Sequence, residues 1–356
     1  MRTEDHSRFI EVVERVARGS RLLRAWDLEG GVSARTVAIE FERPDGEVDR
    51  AVVRLHGEVD RTQNPDVAAD EYRLLEIVQS AGIPAPTSLL LDGSCDVFEI
   101  PYLVVSFVEG SPDFEPVDII PNVEALAQQL ARIHLMDLSN VDLSFLPARL
   151  DSVRKRLDQR PDRLDEALSE GRIREELSAA WPPPAVNQPR LLHGDYWPGN
   201  ILWRDGELVA VIDWEDAATG DPLADVGNCR LEILWALGED AMAAFTDRYQ
   251  SLMPSLDYVN LRFWDLYAAL HPAGKLSGWG LDADTEARMV SCIGDSWSRR
   301  WTGRSSSPQP LSHTASAVAT AGERGTVSGH KTSYSFCPGS VPLSTLERQR
   351  KRWERG

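Results

Sequence analysis

Leu191-Leu192-His193-Gly194-Asp195-Tyr196-Trp197-Pro198-Gly199-Asn200-Ile201-Leu202-Trp203, followed by Val209-Ala210-Val211-Ile212-Asp213-Trp214-Glu215, decides how the rest of the chain is read. An apolar approach enters a tight polar loop. A strand, a turn and a second apolar strand follow, and that strand ends on a carboxylate. Asp195 offers an oxygen that can take a proton, while Asn200 and Asp213 offer the hard oxygen donors that Mg²⁺ prefers. Gly, Asp, Asn and Pro are also turn residues, so the loop alone would pass for an ordinary turn. The second strand, arriving at Asp213, lifts it above that reading. A metallophosphatase uses Gly-Asp and Gly-Asn pairs too, but it wants further histidine ligands, and none follows close behind Asn200.

His-x-Asp with an Asn five residues after the Asp is the spacing of a kinase catalytic loop. There the Asp accepts the proton of the attacking hydroxyl and the Asn binds magnesium. Together with Gly220-Asp221-Pro222-Leu223-Ala224-Asp225, the stretch closely resembles the aminoglycoside phosphotransferase family, small-molecule kinases related to choline kinases. The resemblance covers roughly residues 8–300 and is strongest over 191–228. It implies an α+β, two-lobed, protein-kinase-like fold with a small antiparallel-sheet N-lobe and a mostly helical C-lobe. The lobes are expected over 1–108 and 109–302, with a disordered basic tail over 303–356.

Composition sets the outer bounds. The chain has 356 residues, a formal net charge of −18 and 42 % hydrophobic residues. Such an acidic chain argues against nucleic acid, whose phosphate backbone asks for a basic face. The four cysteines, Cys95, Cys229, Cys292 and Cys337, are far apart without CxxC spacing and read as reduced thiols in a cytoplasmic protein. A polar amino terminus gives no sign of a signal peptide, and no apolar run reaches membrane-spanning length.

Taken in order, Phe9, Val12, Val13 and Val16 predict an amphipathic helix over 8–18. Strand-like runs follow at Arg21–Leu28, Arg35–Glu42 and Asp49–Leu55, the last two joined by a Pro44-Asp45-Gly46 turn. The 30–34 segment, with Gly31 and Ser33, lies between two strands. A dinucleotide fingerprint must open a helix, so this segment suits a hairpin tip over nucleotide phosphates instead. Arg54 occupies the third strand where kinases usually carry a phosphate-binding lysine. Glu71 sits among Val67, Leu74, Leu75 and Val78 on the apolar face of the next helix, 67–79, and a carboxylate there needs a cation. Arg54 is the expected partner, with Arg73 or solvent as the alternative. Strands at Thr87–Asp92 and Tyr102–Val108 lead to a break at Glu109-Gly110-Ser111-Pro112. By resemblance this is the hinge, where the backbone of Ser106 and Val108 would meet the nucleotide base.

From Pro121 onward helical spacing prevails, with a charged helical insert over 150–180 and further helices over 225–237, 241–252, 257–271 and 283–301. His134 lies on an apolar helix face and is read as a core residue. After Trp301 periodicity is lost, and residues 303–356 hold eight Lys/Arg against three Asp/Glu.

The function expected from these residues is transfer of the γ-phosphate of ATP or GTP, with Mg²⁺, to a hydroxyl of a small molecule. Asp195 would activate the hydroxyl, Asn200 and Asp213 would hold the metal, and Arg54 with Glu71 would steady the α- and β-phosphates. Asp221 and Asp225 would brace the loop, although Asp221 could face the acceptor. A nucleotide-binding pseudokinase is the rival from another class, yet it would need none of Asp195, Asn200 and Asp213. A protein kinase is disfavoured by the lack of an A-P-E pattern after Asp213. Glu215, Asp216 and Asp221 after the second strand, Glu232 on the helix beyond, and Trp197 and Trp214 close by in sequence raise the expectation of a cationic acceptor, weighed against helix caps and core packing.

Overall fold

The computed structural model describes residues 3–28, 34–279, 281 and 283–293. Gly31 and Ser33, and the whole of the expected basic tail, lie outside the described residues. Helix α1 (Thr3–Val16) precedes a five-stranded antiparallel sheet of order β1-β2-β3-β5-β4, built from β1 (Arg21–Asp27), β2 (Ala34–Glu42), β3 (Val48–His56), β4 (Ser88–Asp92) and β5 (Tyr102–Ser106). Between β3 and β4 come the short α2 (Glu58–Gln63), which the sequence pattern did not announce, and α3 (Val67–Ser80).

Strand alternation explains how this sheet serves two masters. Ala51, Val53 and Leu55 of β3, with Tyr102 and Val104 of β5, join Phe9, Val12 and Val13 of α1 in one apolar cluster. Val52, Leu103 and Val105 point the other way, into the core shared with Leu74, Leu75 and Val78 of α3 and with the helices that follow. Arg54 and His56 have the same parity as Val52, so they too face α3 and the following segments. A one-residue slip of β3 would bury Arg54 under α1, and the pairing of Arg54 with Leu103 fixes the register against it.

Beyond the sheet, α4 (Ile119–His134), α5 (Arg149–Asp158) and α6 (Glu170–Ala179) lead into the decisive stretch. There β6 (Arg190–Leu192) pairs with β9 (Ala218–Gly220), and between them β7 (Ile201–Arg204) and β8 (Glu207–Val211) form a hairpin. Its tip is Asp205-Gly206, both at positive φ (54° and 81°), as a tight two-residue hairpin turn demands. Helices α7 (Leu223–Leu237), α8 (Glu239–Leu252), α9 (Leu261–Ala269) and α10 (Ala283–Ser291) complete the described chain. Gly227 lets α7 approach α9: a Cβ there would lie 2.7 Å from the carbonyl carbon of Trp264.

The segment leaving the sheet is tied to the hairpin. Ser111 exchanges two backbone bonds with Trp203, at 3.0 and 2.9 Å. Gly110 makes this approach possible, since a Cβ there would come within 2.9 Å of Val209 and 3.0 Å of the Trp203 carbonyl oxygen.

Candidate active site

The loop between β6 and β7 is held from beneath by one carboxylate. Asp225, at the start of α7, accepts from the His193 amide (2.7 Å, Oδ2) and the Gly194 amide (2.9 Å, Oδ1). His134 contacts the same carboxylate at 3.2 Å through Nε2 and the Tyr249 hydroxyl at 2.6 Å through Nδ1. Burial works against the ionised form of Asp225, but the hydrogen bond and charge of His134 prevail, and its pKa lies below the ordinary carboxylate value. His134 is thus the satisfied core residue expected, and Asp225 the expected brace. Asp221 is a brace as well: it accepts from Asn187 (3.1 Å), the Leu223 amide (3.1 Å) and Asn260 (3.3 Å).

His193 is wholly buried against Trp214, with ring centroids 4.6 Å apart. Its Nε2 donates to the Ile212 carbonyl (3.0 Å), and its Nδ1 accepts from the Asp195 amide (3.3 Å). Burial lowers its pKa, so the ring is neutral and acts as a two-sided clip between the loop and the strand that ends at Asp213.

Gly194 is required by geometry. Its φ is +89°, and a Cβ there would fall 1.8 Å from the Asp216 carbonyl oxygen. We expect Gly194→Ala to destabilise the fold by about 2–5 kcal/mol in chemical denaturation, combining backbone strain with overpacking. Gly206→Ala is the matched control: its φ is also positive, but nothing lies within 4 Å of its Cβ position. Equal losses for the two would show that the Asp216 contact does not matter.

Asp195 is held by two amides. Asn200 Nδ2 donates to its Oδ2 (3.1 Å) and to its backbone carbonyl (2.9 Å), and Asn228 Nδ2 reaches Oδ1 at 3.3 Å. Burial, then Asp216 and Asp213, push the Asp195 pKa up to about 7. Asn228 was not anticipated from the sequence. The available signal was its place three residues after Asp225 on α7, which puts both on one helix face. Glu232, one further turn along, has its carboxyl pushed up to about 8 by burial and by the charge of Asp195.

The hairpin delivers Asp213 at φ +66°, a left-handed conformation that a non-glycine residue adopts where its surroundings insist on it. Arg54 meets it there. Arg54 Nη2 lies 2.8 Å from Asp213 Oδ1 and 3.0 Å from Glu215 Oε2, and its Nε lies 3.2 Å from Glu71 Oε1. The Nε contact is an ion pair without hydrogen-bond geometry. Burial disfavours the Arg54 charge, but Glu71, Asp213 and Glu215 outweigh it and raise its pKa. Glu71 also holds His56 Nε2 at 2.8 Å, while Arg73 pairs with Asp142 instead. The Arg54–Glu71 partnership therefore follows the sequence reading, with His56 as an unforeseen third member.

Other expected residues are placed differently. Glu215 turns toward Arg54, its Oε2 3.0 Å from Nη2, away from the acceptor role assigned to it. Trp214 is 1 % exposed and donates Nε1 to the Val211 carbonyl, so it is core and cannot offer a face to a substrate. Trp197 is half-buried, its ring folded back over Gly199 and 6.0 Å from Phe114. Asp216 presents an open side chain within a ring of protein; burial and Asp213 raise its pKa against the opposing charge of Arg149. Ser106 donates its amide to the Thr87 carbonyl (2.8 Å), and its hydroxyl accepts from the Thr87 amide (2.8 Å), so any backbone contact with a base falls to its carbonyl. Val108 lies in the link between β5 and Gly110.

Asn200 and Asp213 suit a hard divalent cation. Both hydrogens of the Asn200 amide are engaged by Asp195, which leaves its carbonyl oxygen as the ligating atom. Among the described residues there is no cluster of three or more His, Cys, Asp or Glu that could hold a metal. A sparse protein donor set is what Mg²⁺ uses when phosphates supply the remaining oxygens.

A family model described as "Phosphotransferase enzyme family" (APH) matches residues 27–264, the span that contains every element described above from β1 to α9 in part. The chain belongs to this family. Viomycin phosphotransferase from Streptomyces vinaceus is 31 % identical over 180 residues, 44 % of this chain and 59 % of that protein. Acyl-CoA dehydrogenase family member 10 from Mus musculus is 27 % identical over 168 residues, 44 % of this chain and 16 % of that protein. The chain thus spans only part of the curated relatives it matches. Among solved structures, a putative aminoglycoside phosphotransferase from Ralstonia eutropha JMP134 superposes with TM-score 0.59 at 16 % identity, covering 83 % of this chain and 98 % of the other. Amicoumacin kinase, solved with AMP-PNP, Ca²⁺ and Ami, gives TM-score 0.57 at 15 % identity, covering 83 % and 96 %. These structures share the fold of this phosphotransferase-family chain, an antiparallel sheet joined to a largely helical second part.

Proposed function

We propose that the protein transfers the γ-phosphate of ATP or GTP to a hydroxyl group of a small molecule, with Mg²⁺. The carrying observation is the convergence of Asp195, fixed by Asn200 and Asn228, with the Arg54–Asp213 ion pair that joins the sheet to the hairpin. In this reading the acceptor oxygen attacks the γ-phosphorus, the bond to the β–γ bridging oxygen breaks, and the hydroxyl proton passes to Asp195. Arg54, steadied by Glu71, sits on the α- and β-phosphates, with the Val108 backbone at the base. Bound through Asn200 and Asp213, Mg²⁺ would neutralise phosphate charge. The division into a nucleotide lobe (1–108) and an acceptor lobe (109–302) belongs to the same proposal.

Phosphorus NMR tests it directly. Incubating the protein with Mg²⁺, ATP or GTP and a panel of hydroxyl compounds should give one new phosphate monoester resonance and an equal amount of nucleoside diphosphate. Nucleotide binding without a phosphomonoester or diphosphate from any member of the panel would overturn it.

A further inference from the structure

We propose that the acceptor site beside Asp195 includes a subsite for an anionic group, a carboxylate or a phosphate monoester, formed by Arg149 and Arg156 with His271 and Lys275 at its edge. The inference rests on reading Asp195 as the base that faces the acceptor, and it deepens that reading by naming a substrate class. Arg149 and Arg156 are seven residues apart on α5 and so share one face of that helix. That face looks at the end of α9. Arg156 Nη2 donates to the Leu270 carbonyl (3.0 Å), and burial raises the Tyr267 pKa against the opposing charges of Arg149 and Arg156. The Tyr267 ring meets His271 edge-on at 4.8 Å, which carries the patch to the 271–275 turn.

Arg149 also touches the catalytic loop. Its Nη2 donates to the Asp216 carbonyl (3.1 Å) and lies 2.5 Å from where a Cβ on Gly194 would stand, one residue from Asp195. A group held by this guanidinium is therefore adjacent to the proposed base.

Charge makes the patch unusual. The net charge is −18, and the other strongly buried arginines are matched with acids: Arg174 with Glu170 at 2.8 Å, Arg230 with Asp265 at 2.9 Å. Arg149 is 8 % exposed, yet among the described residues neither it nor Arg156 has a carboxylate at ion-pairing distance. Arg156 Nε is buried without a hydrogen-bond partner. Asp216 is the carboxylate whose charge Arg149 feels, and that side chain opens to solvent. An unmatched buried cation is costly, and a planar guanidinium fork matches a carboxylate or phosphate. His271 reports the same field: burial, then Arg149, Arg156 and Lys275, hold its pKa down at about 3. The patch argues for an anionic acceptor group in place of the cationic one expected from Trp197, Glu215 and Asp216, of which the fold engages Glu215 with Arg54 while Trp197 stays half-buried and Asp216 open.

The test pairs charged and neutral probes on the full chain. Binding is read by saturation-transfer NMR for 3-hydroxybutanoate against its amide and for glycerol 3-phosphate against glycerol; turnover is read as nucleoside diphosphate release. Binding of the carboxylate, the phosphate or both, weakened at least tenfold relative to wild type in Arg156→Gln and weakening as salt rises, is the expected result; which probe binds identifies the anion. Nucleotide KM should not change, and a retained melting temperature separates lost recognition from lost folding. Neutral probes binding as well as their charged partners, or an Arg156→Gln variant with unchanged affinity for the anions, would overturn the subsite. Anion binding without any diphosphate release would leave the subsite standing and count against the phosphotransfer reading itself.

Discussion

Replacing Asp195 with asparagine should lower turnover by about 10²–10⁴, the usual contribution of a positioned general base, while Mg²⁺-dependent nucleotide affinity stays within a factor of about two. The substitution preserves shape, so the two flanking amides remain in place. One of them, Asn200 or Asn228, would then face an NH₂ group in place of an oxygen, at a cost of about 1 kcal/mol. Against this, the variant removes a carboxylate whose ionised form the fold disfavours. Its pKa stands at about 7 in the folded protein against 3.8 for an ordinary Asp. The folded state therefore holds that proton longer than the unfolded chain, and wild-type stability should decline, relative to the variant, as pH rises from about 4 to 7. Denaturation curves at pH 4.5 and 7.5 check the sign. Near-wild-type turnover in Asp195→Asn would remove Asp195 from the chemistry altogether.

What the sequence disclosed divides along the range of the interactions concerned. The loop, the hairpin and the turn at its tip were legible because each rests on neighbours in the chain. The Arg54–Glu71 pair was legible for a different reason: a carboxylate amid Val67, Leu74, Leu75 and Val78 cannot be left unmatched, and the strand beside it offered Arg54. Asn228 and Arg149 escaped because their partners lie far off in sequence, 33 residues away for the Asn228–Asp195 contact and 67 for Arg149–Asp216, whereas His56, only 15 residues from Glu71, escaped because Arg54 had already met the need for a cation. Nothing in an isolated helix marks which polar residue will meet a distant loop. Glu215 went astray by competition: the sequence put it next to the metal strand, but only the fold brings Arg54 within 3.0 Å of it.

Arg54 is shared by Glu71 from α3 and by Asp213 and Glu215 from the segment after β8, so one guanidinium couples the sheet to the β7–β8 hairpin. Glu71 anchors the arginine from its own side. Glu215 would retain Nη2 if Asp213 turned its oxygens to another cation. Three carboxylates around one guanidinium thus allow Asp213 to be released without leaving Arg54 as an unmatched buried charge.

That division of labour makes Asp213→Asn the most informative second variant. Asparagine tolerates the left-handed backbone found at φ +66° far better than alanine, so the loop should keep its course. Arg54 should hold its place through Glu71 and Glu215, and the melting temperature should change little. The ligating charge, however, is gone. Turnover should fall by about 10²–10³, as when one preorganised electrostatic partner of the transition state is removed. Nucleotide affinity should fall in parallel, but only when Mg²⁺ is present, because Asp213 is proposed to reach the phosphates through the metal. Calorimetric titration of ATP with Mg²⁺ and with EDTA separates the two cases. Asp195→Asn spares that metal-dependent component and Asp213→Asn abolishes it, so the two variants divide acceptor chemistry from nucleotide binding. Metal-dependent affinity that survives in Asp213→Asn would return this residue to a purely structural role as a counter-ion of Arg54.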